Sequence, residues 1–160
     1  MRALVTGATG FIGSHVTRAL LRRGYDVRVL VRQGCDERNI AALDVERAWG
    51  DLCDRPSLDR ALAGCEVLLH VGAAYTFWTP DPSRVYSVNV EGTRHVLEAA
   101  RAAGVQRIVY TSTESTIGVP DRAGVGCEEW VADAACLAGA YKRSQLLAEG
   151  LALAMGRDGL

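Results

Sequence analysis

The stretch Thr6-Gly7-Ala8-Thr9-Gly10-Phe11-Ile12-Gly13 comes directly after the apolar run Ala3-Leu4-Val5 and decides how the rest of the chain is read. Its spacing gives each glycine a task. Gly7 permits a tight turn, Gly10 lets backbone N–H groups approach a ligand, and Gly13 lets a following helix pack close to its strand. The segment from Phe11 to Arg23 reads as that helix, with Ile12, Val16, Ala19 and Leu20 expected on one apolar face. A helix entered in this way points free N–H groups and the positive end of its dipole at an anion, and the anion that fits this spacing is a dinucleotide pyrophosphate. A glycine turn with a purely structural role is the alternative, but it would not require the flanking strand and helix.

Outward from this turn, strand and helix signals alternate, the pattern of a parallel sheet covered by helices. Strands are expected at Arg2 to Thr6, Val27 to Val31, Arg47 to Trp49, Val67 to Val71 and Arg107 to Thr111. Helices are expected at Phe11 to Arg23, Pro56 to Leu62, Val85 to Ala103 and Tyr141 to Met155. Gly24, Gly64 and Gly104 stand where helix C-termini call for a left-handed residue. Thr79-Pro80-Asp81-Pro82 marks a loop. Glu114 to Leu137 has no sustained period and carries a Pro120-Asp121-Arg122-Ala123-Gly124 turn, so it reads as a long loop of the kind that carries substrate contacts. The sequence stops where a sixth strand would begin, and it is expected to be truncated there.

Composition narrows the function classes. With 160 residues, 49% of them hydrophobic, the chain suffices for one domain burying on the order of 70% of its unfolded surface. A net charge of −1 with scattered charges offers no basic field to a nucleic acid or an anionic membrane, so neither is expected as a partner. The five cysteines lack Cys-x-x-Cys spacing, and His15, His70 and His95 lie far apart. Neither a disulfide framework nor a metal site is expected, and reduced thiols point to the cytoplasm. Of 18 basic residues, Lys142 alone is lysine.

Six segments together resemble the extended short-chain dehydrogenase/reductase superfamily, the NAD-dependent epimerase/dehydratase family. They are the glycine turn, Gly50-Asp51-Leu52, His70-Val71-Gly72-Ala73-Ala74, Asn89-Val90-Glu91-Gly92-Thr93, Tyr110-Thr111-Ser112-Thr113 and Tyr141-Lys142-Arg143-Ser144. Val29 to Arg32 and Tyr75 to Pro82 look most like hopanoid-associated sugar epimerases and dihydroflavonol reductases. The resemblance implies a doubly wound α/β Rossmann fold of strand order 3-2-1-4-5, with residues 1–160 as the cofactor-binding domain and the substrate-binding lobe absent. It also implies a nicotinamide cofactor held by Gly7, Thr9, Gly10, Phe11, Ile12 and Gly13, with Asp51 and Leu52 at the adenine. Val71, Gly72 and Ala73 would line the adenosine side, and Thr111, Tyr141 and Gln145 the nicotinamide side. The alternative for Asp51 is a helix cap before Pro56. Arg32 stands at the end of the second strand, where NAD-preferring members carry an acidic residue; its planar donor array suits a 2′-phosphate, so NADP is expected over NAD.

The same resemblance implies Tyr141 as the proton carrier, Thr113 as its partner on the reacting oxygen, and Asn89 as a supporting residue. One departure stands out. The family pattern is Tyr-x-x-x-Lys, whose two side chains share a helical face, and here the fourth residue is Gln145. Glutamine can bond a ribose but cannot stabilise a phenolate. Lys142, one residue along, is rotated about 100° away.

The expected activity is therefore NAD(P)-dependent oxidoreductase or epimerase/dehydratase chemistry, weakened by Gln145, on a sugar nucleotide or a ketone or alcohol. A non-catalytic NADP-binding module and an inactive fragment are the alternatives. Leu146, Leu147, Leu151, Leu153 and Met155 make a homodimer through the Val85–Ala103 and Tyr141–Met155 helices a further expectation, with lost substrate-lobe packing as the other explanation.

Overall fold

The computed structural model describes residues 1–76, 78–118, 126–157 and 159. Five strands, β1 (Arg2–Thr6), β2 (Asp26–Val31), β3 (Glu46–Trp49), β4 (Val67–His70) and β5 (Arg107–Tyr110), form one sheet in the order β3-β2-β1-β4-β5. Every pairing is parallel, with Val5 opposite Val29 and Thr6 opposite His70. This is the order expected from the sequence. It reverses direction at β1 and β4, the switch point beyond whose carboxyl ends such sheets bind ligands.

The central strands are apolar because both faces are covered. Ala3, Val5, Val27, Val29, Val31 and Val67 pack with Leu20 and Ile40 in one buried cluster. Leu4, Leu58, Leu62, Leu68 and Leu97 are also fully or almost fully buried. Arg28 is the charged exception: its Nη1 donates to the carbonyls of Ala61 and Ala63 at 2.7 and 2.9 Å, satisfying the end of a helix that would otherwise be left open.

The helices are α1 (Phe11–Arg22), α2 (Arg55–Leu62), α3 (Ser83–Tyr86), α4 (Gly92–Ala102) and α5 (Ala140–Arg157), with a π-helical turn at Ser87–Glu91 and a 3-10 turn at Glu114–Thr116. Backbone contacts divide the chain into two compact units. One comprises Met1–Ala73 and His95–Thr111 and contains the whole sheet; the other comprises Ala74–Arg94 and Ser112–Leu160.

Two expectations need correction, and one alternative is set aside. The buried face of α1 is Gly13, Ser14, Thr17 and Leu20, whereas Ile12 is 57% exposed. At Gly13 the helix lies tight against the backbone of Gly7 and Ala8, so its buried face begins with the small residues Gly13, Ser14 and Thr17 before reaching Leu20. The helix expected over Val85 to Ala103 is interrupted by the π turn, which widens the backbone around Asn89. Asp51 is not the cap of α2: that position belongs to Asp54, and Asp51 Oδ1 instead accepts from Cys53 N–H at 2.8 Å. Beyond the 3-10 turn, Ile117 and Val131 form an antiparallel bridge, so the ends of the expected long loop are tied together. The Pro120 to Gly124 turn lies outside the described residues.

Candidate functional site

In the sheet-bearing unit, Gly7 adopts φ +70°, and a Cβ there would stand 2.7 Å from Gly72 Cα. Gly13 is tighter: its added Cβ would fall 2.1 Å from Gly7 O and 2.9 Å from Ala8 Cα. At Gly10 the added Cβ would meet only Gly7 O, at 3.3 Å. The turn closes with Gly10 N–H donating to Gly7 O at 3.0 Å, and Asn39 Nδ2 braces it by donating to Thr9 O at 2.8 Å. α1 then starts at Gly10 without a side-chain cap or an acidic residue in its first turn, and Phe11 and Ile12 are exposed. An uncapped helix start behind a cradle that only glycine backbone can form has the chemistry of an anion site.

Beneath this turn, Thr6 ties β1 to β4. Its hydroxyl oxygen accepts from Val71 N–H at 3.1 Å and Gly72 N–H at 3.0 Å, and lies 2.7 Å from His70 Nδ1. With its lone pairs taken by two amides, the hydroxyl donates its own proton to Nδ1, which requires a neutral ring with its proton on Nε2. Burial pushes the His70 imidazole down to about 4. Because an unfolded histidine binds its proton near 6.5, the stabilisation from the neutral ring is complete above that pH and is lost as pH falls from 6.5 to 4. We expect acidification across this window to cost about 3 kcal/mol from this group. Denaturant unfolding at several pH values checks this: the loss should shrink by that amount in His70→Gln, and equal losses in both chains would refute it.

Around the same end of the sheet, Arg32 is exposed immediately after β2. Leu52 is buried, and its side chain would lie 3.4 Å from a Cβ on Gly72. Ala73 and Thr111 are exposed, and Thr111 N–H donates to His70 O at 2.9 Å.

The second unit brings together the residues expected to carry protons. The side chains of Thr113 and Gln145 are the polar neighbours acting on the Tyr141 phenol, while the Tyr75 ring meets the Tyr141 ring edge-on at 4.8 Å. Burial pushes the phenol above the usual tyrosine range; the Thr113 and Gln145 hydrogen bonds pull it down, and the Glu114 carboxylate and Tyr75 push it up. Gln145 is 4% exposed, so the position one helical turn from Tyr141 holds a buried, uncharged amide. The charge of Lys142 helps hold the Glu114 carboxyl below the usual range, after the larger effects of hydrogen bonds from Thr113, the Glu114 backbone and Ser115.

Asn89 fixes this cluster from the π turn. Its Oδ1 accepts from Ala74 N–H at 2.7 Å, and its Nδ2 donates to Ala74 O at 3.1 Å and Ser144 Oγ at 2.9 Å. Ser144 Oγ in turn donates to Tyr141 O at 2.8 Å. Ser144, Tyr75 and Glu114 were not singled out from the sequence as site residues. A serine on the same motif as Tyr141, and an acidic residue directly after Thr113, were the available signals.

Among the described residues, no group of His, Cys, Asp or Glu is placed to hold a metal, and no helix is long and apolar enough to cross a membrane. None of the five cysteines is paired in a disulfide.

A parallel sheet of this order with a glycine turn at its switch point defines a Rossmann dinucleotide-binding fold. Residues 3–159 match the NAD dependent epimerase/dehydratase family, and the chain belongs to that family. It is 40% identical to sterol demethylase protein B of Methylococcus capsulatus over 93% of this chain and 45% of that protein. It is 35% identical to the bifunctional dihydroflavonol 4-reductase/flavanone 4-reductase of Malus domestica, over 73% of this chain and 36% of that one. The structure of the Thermus thermophilus UDP-glucose 4-epimerase in complex with NAD superposes with a TM-score of 0.86 at 30% identity, over 99% of this chain and 51% of that one. The chain thus spans about half the length or less of these relatives.

Proposed function

We propose that this chain is the cofactor-binding domain of an NAD(P)-dependent oxidoreductase or epimerase that acts at a hydroxyl or carbonyl carbon. The observation that carries the proposal is the Gly7–Gly13 cradle, whose close approaches at Gly7 and Gly13 leave no room for a side chain and whose helix start is uncapped. Backbone N–H groups from Thr9 through Gly13 would hold the pyrophosphate, Asp51 and Leu52 the adenine, and Val71, Gly72 and Ala73 the adenosine side. Thr111, Tyr141 and Gln145 would serve the nicotinamide ribose. When bound, the nicotinamide supplies or accepts hydride; Tyr141 carries the accompanying proton and Thr113 orients the reacting oxygen. Asn89 acts through Ser144 to hold the first turn of α5 in place. The substrate is a sugar nucleotide or a ketone or alcohol. The exposed Leu147 and Leu153 on α5 supply apolar surface for the proposed two-fold pairing of this helix.

The exposed Arg32 makes NADP the preferred cofactor. Charge-assisted hydrogen bonds to a 2′-phosphate are worth about 1.5–3 kcal/mol, so Arg32→Asp should shift the NADPH/NADH affinity ratio toward NADH by roughly 10- to 100-fold. Paired titrations followed by nicotinamide fluorescence measure it, and an unchanged ratio removes the assignment.

A second reading, a non-catalytic NADP-binding module, is favoured by one observation: the phenol is held above its usual range with a neutral amide where the family has lysine. Turnover on a panel of ketones and nucleotide sugars, after fusion to the C-terminal half of a relative, separates the two. A fusion that binds NADPH but turns over nothing, even as Gln145→Lys, supports the module.

A further inference from the structure

Residues 32–40 lead from the end of β2 back into the core, and their bonds tie them to three neighbouring parts of the sheet-bearing unit. Ile40 is fully buried in the cluster around β1 and β2, and Glu37 pairs with Arg47 of β3 at 2.7 Å. Asn39 reaches the glycine turn. Its Nδ2 donates to Thr9 O at 2.8 Å, and its own carbonyl accepts from Arg18 Nη2 of α1 at 2.6 Å. The Thr9–Gly10 peptide is thereby held from both sides, because Gly10 N–H, which a trans peptide points away from Thr9 O, donates to Gly7 O at 3.0 Å. One side-chain amide thus joins the loop to the turn.

The charges of the loop are unequally matched. Asp36 pairs with Arg38 at 2.6 Å and Glu37 with Arg47, so both of its acids have partners. Arg32 is exposed and, among the described residues, is in no ion pair, which leaves its guanidinium open to an anion. In a dinucleotide phosphorylated on the adenosine 2′ oxygen, one ribose links the pyrophosphate to the second phosphate, so the ligand itself fixes the spacing of the two anions. A site favours such a ligand when the two elements that hold the anions already stand at a fixed spacing.

Resting on the dinucleotide reading of the glycine turn and of Arg32, we propose that Asn39 is a positioning residue for the 2′-phosphate: by fastening residues 32–40 to the Thr9–Gly10 peptide it sets the reach of Arg32 from the pyrophosphate turn, and through it the preference for NADP. Without this amide the loop keeps its charge but not its place, and a 2′-phosphate has to order it on binding. A dinucleotide lacking that phosphate makes no such demand, since the turn retains its Gly10–Gly7 bond and the backbone contacts at Gly7 and Gly13.

Asn39→Leu removes the donor at an exposed position without adding a charge. In titrations of the 160-residue chain followed by nicotinamide fluorescence, it should weaken NADPH by about three- to tenfold, the worth of one hydrogen bond, and NADH by less than about twofold. In an Arg32→Ala background the same change should leave NADPH affinity within about twofold, because the group that Asn39 positions is gone. Arg18→Leu, which releases Asn39 from α1 and leaves its bond to Thr9, should shift the NADPH/NADH ratio the same way by a smaller factor. Equal losses for both nucleotides, additive effects of Asn39→Leu and Arg32→Ala, or a change confined to the melting temperature of the unliganded chain overturn the proposal. A parent chain that binds neither nucleotide overturns the dinucleotide reading, and the role of Asn39 with it.

Discussion

Replacing Gln145 by lysine is expected to raise the rate of the joined enzyme by on the order of 10²- to 10⁴-fold, the range that a well-placed acid–base group contributes. An unperturbed phenol near 10 leaves about 0.1% tyrosinate at pH 7, and here burial pushes Tyr141 further up. Gln145 stands one helical turn from Tyr141 on α5 and acts on its phenol, so a lysine there places a charge on the same helical face. The ammonium would favour the phenolate and bond the ribose. The gain should appear in kcat with the basic limb of the pH profile moved down, and oxidation should gain more than reduction because it requires the ionised phenol. Steady-state kinetics in both directions measure it. Lysine at a 4% exposed position also carries a desolvation cost, so unfolding is measured alongside. A folded Gln145→Lys enzyme no faster than the parent would refute Gln145 as the weak point of the site.

The second large effect is structural. Gly13→Ala is expected to destabilise the fold by about 3 kcal/mol or more, because its Cβ would lie 2.1 Å from Gly7 O, a backbone atom of the turn. No flexible side chain can yield. Gly10→Ala, whose Cβ meets only Gly7 O at 3.3 Å, should cost no more than about 1 kcal/mol while weakening dinucleotide binding. Denaturant unfolding and nucleotide titration on the two variants separate the effects, and equal stabilities would mean that α1 does not pack on the turn as described.

How far the sequence could be read followed from the range of the interactions. The five strands and the turn were legible because their signals are local: alternating apolar runs, glycines at fixed spacing, and left-handed glycines such as Gly24 and Gly104 after helices. Family motifs made Tyr141, Thr113 and Asn89 visible. The Thr6–His70 link joins residues 64 apart and the Asn89–Ser144 bond residues 55 apart, so neither leaves a local pattern. The π turn escaped notice because Ser87–Glu91 keeps helical spacing on both sides, and only an asparagine inside a helix hinted at it. Ile12 was misplaced because apolar periodicity ranks side chains by character, whereas the close approach of α1 to the Gly7 turn puts Gly13, Ser14 and Thr17 on the buried face.

The central claim, that the Gly7–Gly13 turn binds a nicotinamide dinucleotide, is tested most directly by titrating the 160-residue chain with NADPH and with NADH while following nicotinamide fluorescence and thermal unfolding together. Saturable binding that raises the melting temperature, is tighter for NADPH and is weakened in Gly10→Ala is the expected result. A chain that melts cooperatively yet binds neither nucleotide would contradict it.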